Sequence, residues 1–206
     1  MKIRILNYSL GNVGSVLSAF EFYGYDVKIV HDNKEVELAD LLILAGVGNF
    51  PTAISLLKKK GFWDILNKEV LVKKKPILGI CLGMQLFADV SYEDGESRGF
   101  GWIKGKVVKI DSSQVKVPHI GWNQVKPADL TFFNRMKYNN FYFMHSYHFI
   151  VENSENIIAT TQYGNTNIVS ALRKDNIIGV QFHPEKSQGD GLRLLTNFVE
   201  VMYHDK

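Results

Sequence analysis

Cys81 is the only cysteine in the chain and lies in the run Gly79-Ile80-Cys81-Leu82-Gly83. A thiol attacks as its thiolate, so its surroundings decide whether it is reactive. Small residues two before and two after it permit a sharp strand-to-helix turn with the side chain at the crest, as in the serine nucleophile elbow. The helix N-terminus just beyond Cys81 favours negative charge. The backbone N–H of Leu82 is positioned to face an oxyanion formed on an attacked carbonyl. Taken alone, the run fits equally well a buried structural cysteine between two helix-packing glycines.

A second group of reactive types follows the apolar run 179–182: His183-Pro184-Glu185. In extended chain, residues two apart project to the same side. The Glu185 carboxylate can then orient the His183 imidazole, and His183 can polarise Cys81. A histidine after a strand is more commonly a cap or a core residue; its combination with Cys81 and Glu185 favours catalysis. Metal chemistry is poorly supported. His119, His145, His148 and His183 have no recognisable ligand spacing, and His145 and His148, three apart in a β-rich segment, are expected to face opposite sides. One cysteine excludes an internal disulfide and a Cys-based zinc cluster. The Gly11-Asn12-Val13-Gly14 run lacks the full dinucleotide fingerprint. No metal and no cofactor are expected.

These residues need elements to hold them. Residues 2–8, 26–30, 41–44 and 76–80 read as short buried strands, alternating with helical runs at 11–25, 51–60, 62–74 and 82–89. That alternation implies a parallel sheet covered on both faces. From 101 to 181, β-branched and aromatic runs separated by turn residues imply shorter, partly antiparallel strands. A helix over 191–203 closes the chain. The fold class is therefore α/β: a central, mostly parallel sheet flanked by helices, plus a partly antiparallel β-rich C-terminal half. No linker divides residues 1–206, which read as one domain.

Hydrophobic residues make up 46% and charged residues 22%, enough for a sizeable core. The net charge of +3 is too small to imply a nucleic-acid partner. Lysine runs at 58–60 and 73–75 read as solvated helix ends, with a docking patch as the alternative. No apolar run approaches the ~20 residues needed to span a bilayer. The first residues lack the pattern of a signal peptide, so the cytoplasm is the expected location.

The segments GICLGMQLF and GVQFHPEKS resemble the two catalytic motifs of class I (triad) glutamine amidotransferases. That resemblance implies glutamine hydrolysis through a γ-glutamyl thioester, with Cys81 as nucleophile, His183 as general base and acid, and Glu185 as its orienter. Asn7-Tyr8-Ser9-Leu10-Gly11-Asn12, Pro118-His119-Ile120-Gly121-Trp122-Asn123 and Phe143-Met144-His145-Ser146-Tyr147 narrow it. They are similar to signatures of the glutaminase subunits (HisH) of imidazole glycerol phosphate synthase, a branch that acts in histidine biosynthesis. The resemblance covers residues 1 to about 200.

It implies oxyanion donors at Val47 and Leu82. Glutamine contacts are implied at Gly48, Gln85, Glu93, Ser146 and Tyr147, and a docking face at Asn12, Trp122 and Tyr142. The implied partner is a HisF-like (β/α)8 cyclase subunit that consumes the ammonia. Ala45 departs from the branch, which carries proline there; alanine adds an N–H and loosens the expected turn. Trp102 looks closer to relatives that supply ammonia to a surface-sugar amidotransferase, where the partner is a sugar-synthetase subunit. A stand-alone γ-glutamyl hydrolase is a remoter reading.

Overall fold

Aliphatic runs with no polar alternation can settle only where both faces of a strand are covered. The two runs before and through the cysteine, LLILAG and ILGIC, are buried at every position. In the computed structural model, which describes residues 1–204, these are β3 (Leu41–Gly46) and β4 (Ile77–Cys81). In chain order the remaining elements begin with β1 (Lys2–Leu6), α1 (Val13–Glu21), β2 (Asp26–Val30) and α2 (Asn33–Glu37). After β3 come α3 (Phe50–Lys59) and α4 (Phe62–Leu66), and after β4 come α5 (Leu82–Gln85), β5 (Val90–Ser91), β6 (Ser97–Arg98) and β7 (Gly105–Lys109). The C-terminal half holds β8 (His119–Gln124), β9 (Lys126–Pro127), β10 (Asn140–His145), β11 (Tyr147–Val151), β12 (Ile157–Tyr163), β13 (Thr166–Lys174), β14 (Ile177–Val180) and α6 (Gln188–His204).

The main sheet runs β2-β1-β3-β4-β14-β13-β12-β9. Its first five strands are parallel neighbours, and the last three are joined antiparallel. Helices cover both faces. Phe50, Leu57 and Phe62 fill one side, while Val16 and Phe20 of α1 meet Leu195 and Phe198 of α6 on the other. Two smaller sheets complete the fold: the ribbon β8-β10 and the set β11-β7-β5-β6. The mixed α/β architecture is the one expected. One connection matters most for function. The late strand β14 inserts parallel to β4, with Gly179 opposite Gly79 and Val180 opposite Ile80. The chain leaving β14 therefore emerges beside Cys81.

Several boundaries differ from those read in the sequence. The helix after Cys81 ends at Gln85 rather than near residue 89. The carbonyls of Leu86, Phe87 and Ala88, which a longer helix would use internally, instead accept N–H groups from Phe100, Ile103 and Gly101. Helix 62–74 breaks after Leu66 into a π-helical turn, Asn67–Val72, that carries Glu69 fully buried. Lys73 and Lys75 pair with that carboxylate at 2.7 and 2.8 Å, and the Lys60 ammonium donates to the Asn7 carbonyl at 3.0 Å. Lys60, Lys73 and Lys75 thus serve the fold, while Lys58, Lys59 and Lys74 are exposed, as read in the sequence. The final helix starts earlier, at Gln188. Among the described residues, no helix is long and apolar enough to cross a membrane.

Candidate active site

Steric exclusion builds the turn at Cys81. The residue ends β4 at φ 55° and ψ −110°, a left-handed conformation that a side-chain-bearing residue adopts only when its surroundings enforce it. A Cβ on Gly79 would press on the Phe87 ring at 2.6 Å and on the Met84 amide nitrogen at 2.7 Å. One on Gly83 would collide with the Leu44 carbonyl oxygen of the neighbouring strand. Both glycines let α5 fold back tightly on the sheet.

The second arm arrives from β14. His183 is 2% exposed, and its Nδ1 meets Glu185 Oε1 at 2.8 Å. Its backbone is clamped on both sides. The His183 N–H donates to the Tyr142 carbonyl at 2.8 Å, and the Ser187 hydroxyl donates to the His183 carbonyl at 2.6 Å while accepting the Tyr142 N–H at 2.9 Å. The other ring nitrogen, Nε2, is buried without a well-formed hydrogen bond. Cys81 is nonetheless close enough to act on the ring. Burial opposes a charged imidazole, but negative charge on Cys81 and on Glu185 outweighs it, and His183 is pushed up to about 10. The free Nε2 is the atom such a pair needs for exchanging a proton with the sulfur.

Cys81 opens on a cavity of about 240 Å³. Its walls include Val47, Gly48, Leu82, Gln85, Glu93, Ser146 and Tyr147, so every oxyanion and glutamine-contact position suggested by resemblance borders one space. Gly48 adopts φ +117°, available to glycine at little cost. Glu93 also accepts the Phe50 N–H of α3 at 2.8 Å. Burial first, and the neighbouring Asp94 charge besides, raise its pKa against that bond. Gln85 is less available than expected: its Nε2 already donates to the Tyr147 carbonyl at 2.8 Å and to Gln181 Oε1 at 2.9 Å.

Three further lining residues escaped the sequence reading: Pro118, Met144 and His145. His145 does not share a strand with His148, because the chain bends at Ser146 between β10 and β11, so the alternation expected for that pair does not apply. Instead His145 pairs across the ribbon with His119, 26 residues earlier, which its spacing could not reveal. His145 Nδ1 donates to the Tyr147 carbonyl at 2.8 Å. Its Nε2 must then accept from His119 Nδ1 at 3.0 Å, and His119 Nε2 from Asn123 Nδ2 at 3.3 Å. Burial keeps both rings neutral, lowering His119 to about 4 and His145 to about 3. No group of three or more metal-ligating side chains gathers among the described residues.

The suggested docking residues lie on the adjoining surface. Asn12 is exposed and caps α1, taking the Ser15 N–H on its side chain at 3.4 Å. Together with Phe22 and Leu192 it borders a shallow groove that Glu185 also lines. Trp122 is 44% exposed and meets half-buried Tyr142 edge to face at 6.2 Å. Trp102 is 2% exposed, stacks on Phe87 and Phe100 and donates to Asn67 Oδ1 at 2.8 Å. One sequence expectation needs correction. Ala45 lies inside β3, paired with Ile80, rather than in a turn.

A thiol at a glycine-locked elbow, an imidazole oriented by a carboxylate, and a cavity opening beside the sulfur on a mixed α/β sheet together form a site suited to thiol-dependent acyl transfer. Residues 5–202 match the family model described as glutamine amidotransferase class-I, and the chain belongs to that family. It is 45% identical to imidazole glycerol phosphate synthase subunit HisH 2 of Methanococcus maripaludis, over 96% of this chain and 98% of that one. It is 40% identical to subunit HisH of Pelagibacter ubique, over 98% and 100%. Among solved structures it resembles that of a glutamine amidotransferase, with a TM-score of 0.78, 18% identity and coverage of 98% and 100%. A chain of PurLQS from Thermotoga maritima gives 0.74 at 16% identity, covering 98% of both chains. These two likenesses bear on the fold alone.

Proposed function

We propose that this chain is the glutaminase subunit of imidazole glycerol phosphate synthase, hydrolysing L-glutamine to glutamate and ammonia for histidine biosynthesis. The observation that carries the chemistry is the charged-imidazole geometry beside Cys81: His183 held by Glu185 at 2.8 Å with its buried Nε2 left free, and Cys81 itself lining a cavity that admits a small amide. Cys81 attacks the side-chain amide carbon of glutamine. N–H groups at Val47 and Leu82 hold the oxyanion, each worth about 10²–10³ in rate. His183 protonates the leaving nitrogen, ammonia departs, and a thioester remains on the sulfur. Water deprotonated by His183 then releases glutamate. Gly48, Gln85, Glu93, Ser146 and Tyr147 form the glutamine pocket, and residues 1–206 act as one domain.

Water would protonate most of the ammonia at neutral pH, so a sheltered route to an acceptor enzyme is needed. The partner we infer is a HisF-type (β/α)8 cyclase docking on the face of Asn12, Trp122 and Tyr142. Two features favour that face: Glu185 borders its groove, and Tyr142 clamps the His183 backbone. Its setting would be the cytoplasm. Reconstitution with such a cyclase tests the whole reading. Cys81→Ala abolishes glutamine-dependent synthesis and leaves synthesis from added ammonium salt intact. Glutamine turnover persisting in that variant would remove Cys81 as nucleophile.

A further inference from the structure

The sulfur of Cys81 has a polar neighbour besides the histidine. Gln181 is fully buried, and its Nε2 lies 3.6 Å from Sγ, within range for an N–H donor to sulfur. The direction of that contact is fixed by a chain of amides. The Tyr147 carbonyl can only accept, so Gln85 must turn its NH2 toward it, at 2.8 Å. The second N–H of the same group reaches Gln181 Oε1 at 2.9 Å. Gln181 is thereby left with its own NH2 facing the sulfur. On the other side stands the Met144 carbonyl, 3.7 Å from Sγ.

We propose that Gln181 is a hydrogen-bond donor to the Cys81 thiolate, and that Gln85 serves chiefly to keep its amide in that orientation. The thiol can donate its S–H to the Met144 carbonyl. Once the proton leaves, that carbonyl has nothing to accept, and the anion needs donors. His183 supplies one only while it is charged; the Gln181 amide supplies another at every pH. The assignment also narrows the role of Gln85. With both its N–H groups committed, only Oε1 remains to meet a substrate. The inference rests on Cys81 being the nucleophile, and its test is read without glutamine.

The experiment is the pH profile of iodoacetamide alkylation of Cys81 in the intact chain. It compares the wild type with Gln181→Met, which matches the length but has no donor, and Gln181→Glu, which turns an acceptor toward the sulfur. The half-maximal rate moves up by about one pH unit in the methionine variant, the roughly tenfold loss of thiolate expected from one charge-assisted bond. It moves further in the glutamate variant. In glutamine turnover with the cyclase, the rising limb of kcat/KM against pH moves up by the same amount, because only the thiolate attacks. A folded Gln181→Met with the wild-type alkylation profile overturns the proposal. Should neither variant fold, the unmodified protein decides it. The Gln181 side-chain amide resonance follows the ionisation seen in alkylation and loses that response in Cys81→Ser; a resonance indifferent to that ionisation overturns it equally. If glutamine turnover survives Cys81→Ala, the functional reading fails while the alkylation result stands by itself.

Discussion

The two walls of the cavity are held by different physics. On the Cys81 wall, shape decides: a fully buried strand, a residue forced into φ 55°, and two glycines whose missing Cβ atoms make room for Phe87, Met84 and Leu44. On the wall formed by β10 and β11, and in the segment after β14, hydrogen bonds decide. Glu185 orients His183, Gln85 orients Gln181, and the relay Asn123–His119–His145 ends on the Tyr147 carbonyl. A nucleophile must stay at one point, and a steric lock does that whatever the pH. The groups opposite must hold defined protonation states, which only partners with defined donors and acceptors can impose.

The sharpest way to break the steric wall is Gly83→Ala. The new methyl group meets a backbone carbonyl of β3, which cannot rotate away as a side chain would. We expect a loss of at least about 3 kcal/mol, the upper end for overpacking, read as a lowered urea midpoint. Glutaminase activity falls with it, because the elbow must open to relieve the clash. A Gly83→Ala protein with wild-type stability and turnover would show that the turn is not locked by shape.

This difference also explains what the sequence could disclose. The elbow is local: Gly79, Cys81 and Gly83 fall within five residues, so spacing alone exposes it. The same holds for His183 and Glu185, and for the strands, whose apolar runs declare their burial. The polar wall is assembled across the fold. His119 and His145 are 26 residues apart, and Gln85 and Gln181 are 96 apart. Their pairing depends on the β8-β10 register and on β14 slipping in beside β4, neither of which leaves a periodic trace. Gln181 did leave one signal, standing two residues before His183 and so able to share its side. The burial of Trp102 left no mark either, because an aromatic residue shows none until its neighbours Phe87 and Phe100 are placed.

The next effect sharpens the comparison through pH. His119 and His145, at about 4 and about 3 in the fold, lie below the ordinary 6.5 of an unfolded histidine. Their neutral forms are favoured only in the native state. The stability they allow is therefore complete above about pH 6.5 and is lost as pH falls toward 3, at up to about 1.4 kcal/mol per pH unit for each ring. His183, raised to about 10, has the opposite sign: its contribution is complete below about 6.5 and is lost as pH rises toward 10. Replacing both relay rings at once, His119→Phe with His145→Phe, leaves no orphaned partner between them. Urea unfolding from pH 7 to 4 should then show a shallower acid decline than the wild type, with the alkaline limb unchanged. An acid limb as steep as before would place the acid-sensitive groups elsewhere.

The smallest effect concerns Tyr8, where the two kinds of wall meet. Its hydroxyl is buried, has no hydrogen-bond partner, and occupies the place where a side chain on Gly46 would start. Burial first, and charge on Cys81 second, hold the phenol neutral. A desolvated hydroxyl without a partner is a net cost, so Tyr8→Phe should stabilise the fold by about 1 kcal/mol and leave glutaminase turnover unchanged. The same variant makes room beside β3. Gly46→Ala should therefore be strongly destabilising with Tyr8 present and less so in Tyr8→Phe, giving a coupling of about 1 kcal/mol in a double-mutant cycle. Two strictly additive changes would mean that Gly46 is fixed by its other close neighbour, Leu82 Cβ at 3.3 Å, and not by the hydroxyl.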